Sequence, residues 1–163
     1  MTEVVIVDAV RTPIGALGGR LASVRPDDLA ALLLQEIARR NHLDPSKIDD
    51  VYLGCANQAG EDNRNIARMS VLLAGYPPNV PGVTINRLCA SGLSAVNMAF
   101  HAIASGAAEL MVAGGVESMS RAPYSIPKAE KGYSFGNIIA YDTALGWRYP
   151  NPRIEMEYGI ESM

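Results

Sequence analysis

One cysteine of this 163-residue chain lies in a setting that can turn a thiol into a nucleophile. Cys89 stands where a short β-rich run, residues 83–86, passes into a long run of small and apolar residues that predicts a helix beginning at Cys89. The N-terminus of a helix offers unpaired backbone N–H groups and a positive dipole end, which favour a thiolate. Nucleophile elbows use the same strand–turn–helix order, and such N–H groups can also stabilise an oxyanion. We therefore predict that Cys89 is a covalent nucleophile, the alternative being a cysteine that only packs on an apolar helix.

The other residues of chemical interest have simpler interpretations. Cys55 ends the predicted strand 51–53 and is expected to be a small buried residue. His42 follows the first predicted helix and is expected at its solvated end, whereas His101, deep in the third predicted helix, is expected to be a packed, hydrogen-bonded core residue. Two cysteines without a C-x-x-C pair predict neither a disulfide framework nor a metal site.

The elements that must position Cys89 alternate along the chain. Apolar runs predict four strands, at residues 4–7, 51–53, 83–86 and 110–113, and helical spacing predicts three helices, at 26–40, 66–73 and 89–106. The order βαβαβαβ predicts an α/β fold with a mostly parallel sheet. After residue 119 the composition becomes irregular, with weak helical patterns near Ala140 and Met156. We therefore expect an incomplete half-domain at 1–119 and the beginning of a loop excursion at 120–163.

The third predicted helix has no polar face, and a helix that is apolar all round is normally buried all round. The chain supplies strands for one sheet only, so the covering layer must come from further sequence, from a second subunit, or from both. In isolation we expect this helix to expose an apolar patch and the chain to aggregate.

Composition narrows the classes of partner. A formal net charge of −3 gives no electrostatic footprint for nucleic acid. Residues 88–108 carry no formal charge, but recurring Ser, Asn and His side chains argue against a membrane span. The N-terminus lacks the charged region and cleavage site of a signal peptide, and we expect a cytoplasmic protein.

Three motifs resemble those of one enzyme family. Residues 86–93, Asn-Arg-Leu-Cys-Ala-Ser-Gly-Leu, resemble the nucleophile motif of the thiolases. Residues 9–15 resemble the first strand and loop of that family, and residues 114–120, Gly-Gly-Val-Glu-Ser-Met-Ser, resemble the motif that ends its fourth strand. Residues 54–65 and 142–148 are similar to the β-ketoadipyl-CoA (3-oxoadipyl-CoA) thiolases of aromatic-compound breakdown.

The resemblance implies a ping-pong acyltransferase in which Cys89 carries the acyl group as a thioester and its backbone N–H is one oxyanion donor. The β-ketoadipyl-CoA branch would cleave 3-oxoadipyl-CoA with CoA to succinyl-CoA and acetyl-CoA, so that coenzyme A is a substrate and no cofactor is permanently bound. The resemblance also implies a two-halved, five-layered fold with the third helix in the middle layer, and self-association as a dimer or tetramer through the edge of strand 83–86.

In thiolases the histidine that activates the nucleophile, the second cysteine and most CoA-binding residues come from later sequence. No CoA-binding residue is therefore assigned here, and the chain by itself is expected to be inactive. Three alternatives stay open: an acetoacetyl-CoA or general 3-ketoacyl-CoA thiolase, a decarboxylating ketoacyl synthase of the same fold, and a non-catalytic half-domain that binds a partner.

Overall fold

The computed structural model describes residues 3–130, 132–133 and 135–161. Its larger elements are, in chain order, α1 (Pro26–Arg40), β1 (Asp50–Gly54), α2 (Ile66–Leu73), β2 (Gly82–Ile85), α3 (Ser91–Ala104), β3 (Met111–Gly115), β4 (Tyr124–Ser125), β5 (Tyr141–Asp142) and α4 (Pro152–Tyr158). Single 3₁₀ turns lie at Pro45–Lys47 and Met119–Arg121.

The main sheet has three parallel strands in the order β2–β1–β3. α3 packs on β1 and β3, α2 packs on β2, and α1 packs on α2. The core lies mainly between α1, α2 and the sheet, and its largest fully buried apolar side chains are those of Ile66, Val51, Val71 and Val80. The predicted α/β class with a parallel sheet is confirmed.

The helix boundaries follow from local chemistry. α1 begins at Pro26, whose fixed φ suits the first turn, and it carries acidic residues in its first turn and basic residues in its last. The Asn65 side chain caps α2 by accepting a hydrogen bond from the N–H of Arg68. After α2 the chain turns at Gly75, whose φ of 77° is accessible to glycine without steric cost.

The predicted strand at residues 4–7 does not form in the structure. Val5, Ile6 and Val7 are 66%, 83% and 78% exposed, and within the described residues no strand pairs with this segment. A strand is stabilised by ladder hydrogen bonds and by burial against a neighbour, and neither is available here. The weak helical pattern near Ala140 also fails, since the chain there enters the two-residue strand β5, whereas the pattern near Met156 becomes α4.

One face of α3 is uncovered, as predicted. Small side chains, among them Ser94, Ala95 and Ala99, face the sheet, while Leu93 is 65% and Phe100 44% exposed. The chain has 11,399 Å² of accessible surface, whereas scaling for folded monomers gives about 7,900 Å² for this size. The exposed segments at residues 3–20 and 135–161 contribute to this excess together with α3. The exposed apolar side chains of α3 support the view that this helix packs on a further layer.

The expectation that His101 is a hydrogen-bonded core residue is wrong for this chain. His101 is exposed, and its ring meets the neighbouring Phe100 ring edge-on at 5.4 Å. The reason is the same missing layer, because His101 lies on a helix that the described residues cover on one side only.

Among residues 3–130, 132–133 and 135–161, no helix has the length and apolar character needed to cross a bilayer.

Candidate active site

Cys89 lies in a tight turn between the end of β2 at Ile85 and the start of α3 at Ser91. The predicted helix start at Cys89 is therefore two residues early, and Ala90 is the N-cap. Leu88, directly before the cysteine, has a φ of 49°. This left-handed conformation is uncommon for a residue with a branched side chain. The side chain of Cys89, which follows it, is exposed among the described residues.

Two side chains brace this turn from its two ends. The Oδ1 of Asn86 accepts a hydrogen bond from the N–H of Leu88 at 2.9 Å. The Oγ of Ser91 accepts from the N–H of Arg87 at 2.8 Å and donates to the carbonyl of Leu88 at 2.5 Å. These bonds compensate for the unfavourable φ, so the turn is held by groups within the motif at residues 86–93 itself.

A glycine in the sheet lets the turn approach closely. A Cβ added to Gly54, the last residue of β1, would lie 2.3 Å from the backbone N of Gly92 and 2.3 Å from the carbonyl carbon of Ser91. Real Cβ atoms essentially never come that close to backbone atoms. The first turn of α3, and with it Cys89, therefore sits directly over the carboxyl end of the sheet because residue 54 has no side chain.

The turn leaves the backbone N–H of the cysteine itself free, whereas the N–H groups of Ala90 and Ser91 donate to the carbonyls of Arg87 and Leu88. No side chain caps the N-terminus of α3, and within residues 3–130, 132–133 and 135–161 the N–H of Cys89 donates to no acceptor. An exposed thiol next to its own free N–H and the positive end of a helix has what nucleophilic attack and oxyanion binding require.

The described residues do not bring a general base to Cys89. His42 and His101 are both exposed, and neither hydrogen-bonds to the Cys89 thiol. The prediction for His42, a solvated residue after α1, is confirmed. Nowhere in the described ranges do three His, Cys, Asp or Glu side chains cluster closely enough to hold a metal ion.

Cys55 behaves as the sequence predicted. It is 2% exposed at the end of β1, and its Sγ–H donates to the carbonyl of Asn57 at 3.2 Å. Burial, reinforced by the nearby carboxylates of Glu117 and Asp62, raises the pKa of the Cys55 thiol to about 12. Cys55 is therefore a protonated, unreactive thiol near neutral pH, and Cys89 is the accessible one.

The sequence placed Glu117, which follows β3, in the motif at residues 114–120 but indicated no role for its side chain. Its carboxylate accepts hydrogen bonds from the N–H groups of Ala56 and Asn57 at 2.7 and 3.2 Å, and thus ties the segment after β3 to the segment after β1. The available signal was its position, since the carboxyl ends of neighbouring parallel strands meet at one edge of a sheet.

An ion-pair cluster fastens the neighbouring loop. Glu61 pairs with Arg121 and lies 3.3 Å from Arg25, which also forms a bidentate pair with the buried Asp27. The hydrogen bond from Arg121 holds the pKa of Glu61 below its usual value. This cluster joins the start of α1 to the loop after β1 and to the 3₁₀ turn after β3.

The family model described as "Thiolase, N-terminal domain" matches residues 4–147. The beta-ketoadipyl-CoA thiolase of Pseudomonas knackmussii is 62% identical over 162 residues, which cover 99% of this chain and 40% of that protein. The 3-oxoadipyl-CoA/3-oxo-5,6-dehydrosuberyl-CoA thiolase of Escherichia coli is 56% identical, with 100% of this chain and 41% of that protein covered. The chain thus spans about two fifths of the length of these relatives.

A solved structure agrees with the fold. The Bacillus anthracis acetyl-CoA acetyltransferase superposes with a TM-score of 0.77 at 40% sequence identity, covering 83% of this chain and 34% of that one. The steroid 3-ketoacyl-CoA thiolase of Mycobacterium tuberculosis is 42% identical. Identity is therefore higher to the relatives named for 3-oxoadipyl-CoA than to these two proteins.

Proposed function

This chain belongs to the thiolase family, and on that basis we propose that the full-length protein is a CoA-dependent acyltransferase whose nucleophile is Cys89. The observation that carries the proposal is the braced turn at residues 86–91, which presents an exposed thiol beside its own free N–H and the uncapped start of α3. Cys55 is buried and protonated and does not compete for this role.

The proposed reaction proceeds in two half-reactions. The thiolate of Cys89 attacks the 3-keto carbon of a 3-ketoacyl-CoA, and the negative charge passes to the carbonyl oxygen, where the N–H of Cys89 is one donor. Collapse of this intermediate breaks the C2–C3 bond, leaves the acyl group on Cys89 as a thioester, and passes the electron pair to the leaving acetyl-CoA carbanion, which takes up a proton. The thiolate of a second CoA then attacks the thioester and restores Cys89.

The base that activates Cys89 and the acid that protonates the carbanion are proposed to lie outside this chain. Two facts support this: no described side chain hydrogen-bonds to the Cys89 thiol, and the chain spans about two fifths of its relatives' length. The uncovered face of α3 is the surface on which the remaining sequence would pack. The chain by itself is therefore proposed to be inactive.

We propose 3-oxoadipyl-CoA as the substrate, with succinyl-CoA and acetyl-CoA as products and CoA as second substrate. Support comes from the names of the relatives that are 52–62% identical over almost the whole chain. The second candidate is a shorter 3-ketoacyl-CoA such as acetoacetyl-CoA, favoured by the fold match to an acetyl-CoA acetyltransferase. No permanently bound cofactor is proposed.

Further features of the full protein are proposed on the same basis. β2 is an edge strand of the described sheet, and Val83 is 40% exposed, which supports self-association through residues 83–86 as a dimer or tetramer. Residues 120–163 are proposed to begin a loop excursion that contributes to CoA binding. Two free cysteines fit a reducing, cytoplasmic setting.

The test uses the full-length protein with 3-oxoadipyl-CoA and CoA, and chromatography measures formation of succinyl-CoA and acetyl-CoA. Cys89→Ser should abolish turnover and covalent acyl labelling, whereas Cys55→Ser should retain both. A kcat/KM at least about tenfold higher for 3-oxoadipyl-CoA than for acetoacetyl-CoA would support the first substrate, and the reverse ratio the second. Retained labelling in Cys89→Ser, or turnover of malonyl-CoA by decarboxylation in place of thiolysis, would contradict the proposal.

A further inference from the structure

The motif at residues 114–120 has no part in the chemistry proposed above. The carboxylate of its Glu117, however, makes the hydrogen bonds that hold the segment directly after β1. Glu117 accepts two hydrogen bonds from successive backbone N–H groups, Ala56 at 2.7 Å and Asn57 at 3.2 Å. Carboxylates accept hydrogen bonds from N–H groups more strongly than neutral acceptors do. This pair of hydrogen bonds therefore sets the conformation of the segment after β1.

The bracketed segment in turn contacts the nucleophile turn. The carbonyl of Ala56 accepts a hydrogen bond from the Nδ2 of Asn86 at 3.0 Å. The other end of the same amide, Oδ1, accepts from the N–H of Leu88 at 2.9 Å. The Asn86 side chain therefore spans from the segment that Glu117 holds to the residue immediately before Cys89.

The backbone conformation of Leu88 is unfavourable and must be stabilised by hydrogen bonds from other residues. Leu88 adopts a φ of 49°, a region that residues other than glycine, Asn and Asp rarely occupy without compensating contacts. An Asn86 amide that is free to rotate could not hold the Leu88 N–H in place. The Ala56 carbonyl fixes the orientation of that amide, and Glu117 fixes the Ala56 carbonyl by binding the N–H groups on both sides of it.

We propose that Glu117 is a positioning residue for the nucleophile, acting on Cys89 through the backbone of residues 56–57 and the side chain of Asn86. The proposal rests on the role of Cys89 given above. Glu117 does not touch the reacting atoms in this arrangement. Its carboxylate orients the turn so that the thiol and the free N–H of Cys89 keep their positions relative to the start of α3.

The segment that Glu117 holds also contacts Thr143, which lies beyond the main sheet. The Asn57 side chain donates to the carbonyl and the hydroxyl of Thr143 at 3.2 and 3.1 Å. Glu117 holds the N–H of Asn57, so it also influences where residues 141–143 lie. This second contact predicts that loss of Glu117 affects the loop excursion, but through Asn57 and not through Asn86.

The test measures two rates in the full-length protein: kcat for thiolysis, and substrate-free alkylation of Cys89 by iodoacetamide. Glu117→Gln keeps the size of the side chain but presents an NH₂ group to one of the two N–H donors. We expect both rates to fall about tenfold, with KM for the acyl-CoA changed less than about twofold. Moving the turn misaligns the thiol with the substrate and takes it away from the free N–H and the helix end that favour its nucleophilic form. Glu36→Gln, which breaks only a surface pair with Arg39 on α1, is the matched control and should leave both rates unchanged.

A double-mutant cycle separates positioning from general stabilisation. If Glu117 acts through Asn86, Glu117→Gln combined with Asn86→Ala should react no more slowly than Asn86→Ala alone. If Asn86→Ala does not fold, Asn86→Asp takes its place, since it keeps the acceptor for Leu88 and loses the donor to Ala56. Effects that multiply, or Glu117→Gln rates within twofold of the parent, would overturn the proposal. Alkylation requires no substrate, so this arm still decides the question if the proposed thiolase activity is absent.

Discussion

Adding one methyl group at Gly54 should displace the nucleophile without changing any residue of its turn. Gly54 ends β1, and its missing side chain leaves the space that the first turn of α3 occupies. In Gly54→Ala the new Cβ would lie 2.3 Å from two backbone atoms, at Ser91 and Gly92. Backbone atoms cannot rotate away as a flexible side chain can, so the helix or the strand must move.

The size of the movement follows from the geometry. Ordinary contact begins at 3.4 Å, so the start of α3 must retreat by about 1.1 Å from the sheet. Overpacking of this kind destabilises a folded protein by about 1–3 kcal/mol. A displacement of about 1 Å in a reacting group can lower a rate about 100-fold, and Cys89 precedes the displaced helix by two residues.

The assay compares Gly54→Ala with Gly114→Ala in the full-length protein. Gly114 lies on the neighbouring strand β3, but its added Cβ would come no closer than 3.7 Å, to a methyl carbon of Leu53. Alkylation of Cys89 by iodoacetamide and kcat for thiolysis report the position of the thiol, while denaturant unfolding reports stability. We expect kcat to fall about 100-fold in Gly54→Ala with a smaller fall in the alkylation rate, and both to change less than about twofold in Gly114→Ala.

Equal behaviour of the two variants would refute the reasoning, because it would mean that the packing of α3 on β1 does not set the position of Cys89. A loss of stability in Gly54→Ala with normal alkylation and turnover of the folded fraction would refute it as well. That result would show that the helix yields to the methyl group elsewhere and leaves the turn in place.

Three other predictions concern the thiols, the buried tyrosine and the uncovered helix. In the native full-length protein, iodoacetamide at pH 8 should label Cys89 and not Cys55, because burial raises the pKa of Cys55 to about 12. Mass spectrometry of the peptides measures the labelling, and labelling of Cys55 at a comparable rate would contradict this prediction. Burial also raises the pKa of Tyr76 to about 12. A group that stays protonated in the folded state but ionises in the unfolded state stabilises the fold below its unfolded pKa. The free energy of unfolding should therefore fall as pH rises from about 9 to about 12, and this decline should be shallower in Tyr76→Phe than in the parent. The isolated 163-residue chain should form aggregates in size-exclusion chromatography, and Leu93→Glu with Phe100→Glu should reduce them, whereas a monodisperse monomer of the unmodified chain would contradict the importance of this surface.

Local sequence signals predicted much of this fold because the elements concerned are stabilised by nearby residues. The bounds of α2 follow from a capping Asn65 and from Gly75 after the helix, both within a few residues of the turns they define. The strand–turn–helix setting of Cys89 was likewise visible, because apolar β-rich residues give way to small helix-compatible ones within one short segment.

The strand expected at residues 4–7 shows where such reasoning fails. An apolar run predicts that a segment prefers an extended, buried conformation, but a strand also needs a neighbour to pair with, and the described residues supply none. His101 fails for a related reason, since helical periodicity identifies apolar neighbours along α3 without showing whether a second layer covers them.

Within the site, residue types and their spacing identified the nucleophile motif, while the three-dimensional arrangement determined how it is held. The left-handed Leu88, the close approach at Gly54 and the bond from Asn86 to Ala56 each depend on atoms that lie far apart in sequence or on a backbone conformation that its residue rarely adopts. Glu117 lies about sixty residues from the segment that it brackets. Hydrogen bonds at such separation form only once the parallel strands have aligned their carboxyl ends, and no local propensity reports that alignment.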